Sequence, residues 1–164
     1  MGERHRASDV SLSGRGNRAS PCEESSVLSI VYSSRAASDL GQADLRELLT
    51  RSRSNNERDG LTGMLLYRSG YFLQVLEGPD AGVRRRLTVI EADERHDDVK
   101  VLIDETIEER LFPEWTMAFD AVPSDSADQV PGLRTTFDDL AAAHRSSETL
   151  GAVRALVAWY RRRF

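Results

Sequence analysis

The chain first turns apolar at Val27-Leu28-Ser29-Ile30-Val31-Tyr32-Ser33, a run dense in β-branched residues that predicts a strand. Alternation puts Leu28, Ile30 and Tyr32 on one face. Tyr32 ends that face, where a phenol is either a core tyrosine at the sheet rim or a donor to a specific partner. From Asp39 to about Asn56 the period becomes helical, with Leu45, Leu48, Leu49 and Ser52 on one stripe. Asp39 and Gln42 are spaced for a capping box. Extending the stripe one heptad beyond Leu48 and Leu49 reaches Asn55 and Asn56, so the last inward-facing turn is polar. Asparagine suits a helix C-cap, but two in a row exceed what a cap needs. The pattern leaves cap and ligand site open.

Leu61–Tyr67 and Tyr71–Glu77 predict two strands joined around Arg68-Ser69-Gly70. The second strand carries Phe72, Gln74 and Leu76 on one face. A buried glutamine without partners costs a few kcal/mol, so Gln74 must meet backbone, side chain or ligand. Glu77-Gly78-Pro79-Asp80 reads as a turn into a second helix over about Ala81–Ala92. Val83, Leu87 and Ile90 form its inner stripe and Arg84, Arg85 and Arg86 lie mostly outside. Asp93, Arg95 and His96 cluster at its end, by default a solvated helix terminus.

Val99–Ile103 predicts a fourth strand and Asp104–Arg110 an acidic connection. Trp115–Phe119 predicts a short fifth strand with Trp115, Met117 and Phe119 on one face. Composition shifts after Pro123, and two helices follow, over about Leu133–His144 and Ser147–Arg163. Leu150, Val153, Leu156, Val157 and Tyr160 make a continuous stripe on the last helix. Such a stripe must pack on the sheet or on another subunit. The expected organisation is a disordered tail over 1–26, a domain over 27–122 and a helical extension over 123–164.

Composition narrows the classes. The chain has 164 residues, 40% hydrophobic and 30% charged, as in an ordinary soluble globular protein. No apolar run approaches the roughly 18–20 residues that span a bilayer, so no membrane segment is expected. A net charge of −5 argues against non-specific nucleic-acid binding. The single cysteine, Cys22, fits a reducing compartment, and a cytoplasmic location is expected. His5, His96 and His144 do not fall at metal-ligand spacing with it.

Strand, helix, strand, strand, helix, strand and a short strand describe an α+β fold. It is the ferredoxin-like split β-α-β sandwich (β1-α1-β2-β3-α2-β4-β5), with two appended C-terminal helices. Residues 27 to about 122 also resemble the BLUF domain, a blue-light sensor that uses flavin. The resemblance rests on VYSS around Tyr32, SRSNN ending at Asn56, GLTGMLLY, FLQVLEG, ADERH and FPEWTMAF, in the family's order and spacing.

The resemblance implies a flavin, FAD with FMN as the alternative, held non-covalently between the two helices and sandwiched by Leu48 and Ile90. Tyr32 matches the photochemical tyrosine, which gives an electron and a proton to the excited flavin. Gln74 matches the glutamine whose hydrogen bonding is reversed by light, by rotation or tautomerisation. Asn56 matches the asparagine that bonds the flavin pyrimidine edge, with Asn55 as helper. Asp93, Arg95 and His96 match positions near the ribityl and phosphate end. Trp115 and Met117 match output residues, where one or the other approaches the glutamine; core packing is the other reading of both. The family often has a basic residue four positions before the helix-end aspartate; here Val89 stands there. That leaves FAD versus FMN open.

The expected function is therefore a short, stand-alone photoreceptor, not an enzyme. It would act as a homo-oligomer, at least a dimer, or on an unidentified downstream protein partner, through its terminal helices. Two other readings stand beside it. An acylphosphatase-type enzyme on the same fold needs a glycine-rich phosphate loop, and Ser33-Ser34-Arg35-Ala36 offers only the arginine. A flavin-free interaction module is the third.

Overall fold

A computed structural model describes residues 26–121, 129–144 and 146–164. The expected tail over 1–26, with Cys22 and His5, and the expected boundary at 122/123 lie essentially outside the described residues. The elements are β1 (Val27–Ala36), α1 (Gln42–Asp59), β2 (Thr62–Arg68), β3 (Tyr71–Gly78), α2 (Asp80–Glu91), β4 (His96–Ile107), β5 (Ala118–Ala121), α3 (Leu133–Ala141) and α4 (Ser147–Arg161). The sheet order is β4-β1-β3-β2-β5. All neighbours are antiparallel except β2 and β5. This is the expected ferredoxin-like arrangement with β5 added at one edge.

Both faces of the sheet are covered. Leu28, Ile30, Tyr32, Leu65, Phe72 and Leu76 pack under α1 and α2 with Leu45, Leu48, Leu49, Val83 and Leu87. Val31, Met64, Leu66, Leu73 and Val75 pack under α3 and α4 with Leu133, Phe137, Val153, Leu156 and Tyr160. Strands buried on both faces lose the apolar–polar alternation, which explains the near-continuous apolar runs of β2 and β3. The stripe on α4 is thus spent on the sheet. Leu150 is the exception, 37% exposed and outside the stripe. Val153, Leu156, Val157 and Tyr160 are therefore not open to a second subunit.

Several expected boundaries move. No capping box forms from Asp39 and Gln42. The helix starts after Gly41, whose N–H donates to the Asp44 carboxylate at 2.9 Å. At the other end Gly60 adopts φ 67°, and the Leu61 N–H returns to the Asn56 carbonyl at 2.8 Å. The C-cap belongs to glycine, as its left-handed backbone favours. Asn55 and Asn56 are therefore inside the last turn and not at the cap. Ser69 and Gly70 both have positive φ, as a two-residue hairpin loop requires.

β4 is longer than expected, and Asp104–Ile107 continue it along β1 instead of forming a connection. As an edge strand it tolerates charge. β5 starts at Ala118, so Trp115 and Met117 precede the strand instead of sharing its face. The approach of that segment is fixed by Glu77, which the sequence left in a turn. Glu77 is fully buried, and its carboxylate accepts from the Leu111 and Phe112 N–H groups, both at 3.0 Å. Arg110 closes the same corner on Thr62 Oγ1 and the Gly60 carbonyl.

Candidate functional site

Tyr32 and Gln74 are cross-strand partners in the β1–β3 register and point to the α1/α2 side. Tyr32 is fully buried, and its hydroxyl donates to Gln74 Oε1. Burial, with Asp93 adding to it, pushes the phenol well above its ordinary pKa, so it holds its proton firmly. The other end of the same amide, Nε2, faces Met117 Sδ at 3.5 Å. Gln74 thus has a partner at each end: a phenol donor and a soft sulfur acceptor.

Met117 belongs to a segment that α1 grips from the opposite side. Arg53 Nε donates to the Met117 carbonyl at 3.1 Å, and Asn56 Nδ2 donates to the Thr116 carbonyl at 2.7 Å. Asn56 is 1% exposed. Its position follows from the helix running on to Asp59, which turns this stripe position inward. Asn55 is half-buried and accepts from Arg58 at 3.1 Å. Trp115 points elsewhere: it is 40% exposed, and its indole N–H donates to the Phe164 carbonyl at 3.2 Å. Of the two expected relay residues, only Met117 touches Gln74.

A cleft of about 580 Å³, counting the part open to solvent, lies between α1, α2 and the sheet. Leu48 and Ile90 line it from the two helices, Asn55, Asn56 and Gln74 contribute amides, and Asp93, Arg95 and His96 close it. A groove between β1, β4 and α4, lined by Val31, Ile103 and Val157, shows no side-chain amide among the described residues. Asp93 accepts from the Arg95 backbone and guanidinium at 3.0 and 2.9 Å, and Arg95 holds its carboxyl down at about 2. His96 Nδ1 lies 2.9 Å from Ser34 Oγ and its ring 5.0 Å from Phe72. Burial pushes the imidazole below its ordinary pKa.

Sequence reasoning missed Arg51, Ser52, Leu65 and Arg86 as cleft residues; Val89, noted only as standing where the family often has a basic residue, lines it as well. The sequence pattern also sets Arg86 outside with Arg84 and Arg85. Arg86 instead turns inward and pairs with Asp59, the two side chains 11% and 13% exposed. The signal was present: Arg86 lies three residues after Val83 and four before Ile90, on the inner stripe.

These residues fit a flavin. Leu48, Ile90 and Val89 offer aliphatic walls to a flat apolar ring, and the amides of Asn56 and Gln74 suit its polar edge. Among the described residues Arg86 Nε has no hydrogen-bond partner, and it is buried. Leaving such a donor unpaired costs about 1–3 kcal/mol, so an acceptor entering the cleft would relieve it. Among the described residues no group of His, Cys, Asp and Glu could hold a metal ion, and no helix is long and apolar enough to cross a membrane.

Residues 27–118 match the family model described as BLUF, sensors of blue-light using FAD. Among curated proteins, the photoactivated adenylate cyclase subunit beta of Euglena gracilis is 29% identical over 82% of this chain and 16% of its own length. The chain thus spans less than a fifth of the curated relatives it matches. Among solved structures, the dark state of BlrB, a BLUF protein, is 30% identical with a TM-score of 0.63, covering 82% of this chain and 98% of that one. The ground state of BlsA is 25% identical with a TM-score of 0.63, over 80% and 87%. With the family model matched over more than half of its residues, the chain belongs to the BLUF family of blue-light sensors using FAD.

Proposed function

We propose that the chain senses blue light by reversing the hydrogen bonding of Gln74 between Tyr32 and Met117, with flavin held in the cleft by Leu48, Ile90, Asn55, Asn56 and Arg95. The observation that carries this reading is the double contact of one buried amide, from the Tyr32 hydroxyl at Oε1 and to Met117 Sδ at Nε2. The family description names FAD, and FAD is the proposed occupant, with FMN as the alternative.

Bound flavin supplies a blue-absorbing chromophore whose excited state is a strong oxidant. The chain supplies the rest. Tyr32 is the oxidisable phenol, and its proton already rests against Gln74 Oε1. Removing an electron makes a phenol strongly acidic, so its proton would pass to Oε1 as Nε2 gives one up, the electron and that second proton being taken up by the bound flavin. When the same electron and one proton come back, Tyr32 is a neutral phenol again, and the amide, turned end for end in the meantime, would present Nε2 to the phenol oxygen and Oε1 to the other side. No chemical product is released.

The output follows from what Gln74 lets go. Met117 loses a donor, and its backbone, held by Arg53, leads directly into β5. A protein partner or a second copy of the chain would read the change at β5 or at the helices over the opposite face. Asp93, Arg95 and His96 would hold the ribityl and phosphate end. Light-minus-dark spectra of wild type and Gln74→Leu test the switch: the red shift should vanish in the variant with flavin still bound.

A further inference from the structure

We propose that Arg86 is a further flavin-binding residue, donating from its guanidinium to the polar edge of the ring, with Asp59 as its positioning residue. The proposal rests on the flavin reading above. Three observations carry it. Arg86 lines the same cleft as Asn56 and Gln74. Its Nε is buried and makes no hydrogen bond among the described residues. Asp59, the last residue of α1 and three residues beyond Asn56, holds the NH2 end of the same fork. A guanidinium is planar, so fixing one nitrogen fixes the direction of the others.

The occupant of that donor is a ring carbonyl and not a phosphate. Asp59 already neutralises the guanidinium, and its carboxylate would repel a phosphate dianion beside it. Arg86 also stands at the end of the cleft where Asn56 and Asp59 close α1. Asp93 and Arg95 stand about two helical turns further along the chain, past the end of α2. Neutral oxygens beside two amides match the first end; charge matches the second.

Riboflavin, FMN and FAD share the ring and differ in phosphate, so their binding to the flavin-stripped full chain separates the cases. Arg86→Gln should weaken all three by the same factor, roughly tenfold. Unchanged affinities would make the Arg86–Asp59 pair merely structural and overturn the proposal. A loss confined to FMN and FAD would make Arg86 a phosphate contact and also overturn it. Arg86→Lys guards against misfolding: it keeps the charge on Asp59 but not the fork. It should melt at the wild-type temperature without ligand and still bind all three flavins more weakly; wild-type affinity in that variant would overturn the role of Nε. A wild-type chain that takes up none of the three overturns the flavin reading itself, and the proposal with it.

Discussion

The Asn56 side chain donates to the Thr116 carbonyl at 2.7 Å, joining the last turn of α1 to the segment that carries Met117 into β5. One amide at the cleft wall therefore also holds the segment next to the proposed switch. Asn56→Ala should lower the stability of the flavin-free protein by about 1 kcal/mol, since it removes the hydrogen bond to the half-buried Thr116 carbonyl. It should also reduce the flavin content of the purified protein. Thermal melts with and without flavin, beside the absorbance ratio of flavin to protein, check both. A variant that melts and loads like wild type contradicts the double role.

Met117→Leu nearly conserves volume but removes the sulfur that faces Gln74 Nε2. A weak contact of this kind is worth ~0.5–1 kcal/mol to the dark arrangement. Without it, recovery from the lit state should slow by roughly two- to fivefold, with flavin loading unchanged. Flash spectroscopy in the dark measures the recovery. Identical recovery would assign the output to another residue.

Glu77 should matter to the fold more than a turn residue would. Burial raises its carboxyl, while the Phe112 and Leu111 N–H groups and Arg110 draw it back in part. Glu77→Ala strands the buried Phe112 N–H and the half-buried Leu111 N–H and should cost about 2–5 kcal/mol, read from urea unfolding. Little change in the midpoint would mean that the 110–117 segment is held by packing alone.

Acid should weaken the cleft in two steps. His96 has its pKa lowered by burial, so its stabilisation is complete above the ordinary 6.5 and fades as pH falls through the lower folded value. Asp93 is held at about 2 by Arg95, so its contribution is complete above 3.8 and is lost as pH falls toward 2. Arg95 is 45% exposed, and solvent screening makes this second step the smaller for its shift. His96→Gln should flatten the dependence of melting temperature on pH just below 6.5. A slope equal to wild type would place the first step in another group.

Much of this site is legible in the sequence. Tyr32 and Gln74 could be put on inward faces because β-strand alternation is rigid, and Leu48 and Ile90 because helical stripes are. The register that pairs Tyr32 with Gln74 was not legible from periodicity, since it depends on contacts 42 residues apart. Periodicity does not distinguish Asn56 from a cap, and in the structure Gly60 takes that position. Arg86 was missed because three consecutive arginines read as a solvated face, although only the third shares the stripe of Val83 and Ile90. The edge strand β4 was cut short because Asp104 and Glu105 look like loop, yet an edge strand carries charge without cost to the core. Trp115 was placed with Met117 by alternation, which holds only inside a strand, and β5 begins after both.

The central claim is that Gln74 is the moving part. A light-minus-dark absorption difference on purified protein, wild type beside Gln74→Leu, tests it most directly. The wild type is expected to show a reversible red shift of the flavin band, and Gln74→Leu to hold the same flavin with no shift. A normal red shift in Gln74→Leu would contradict the account.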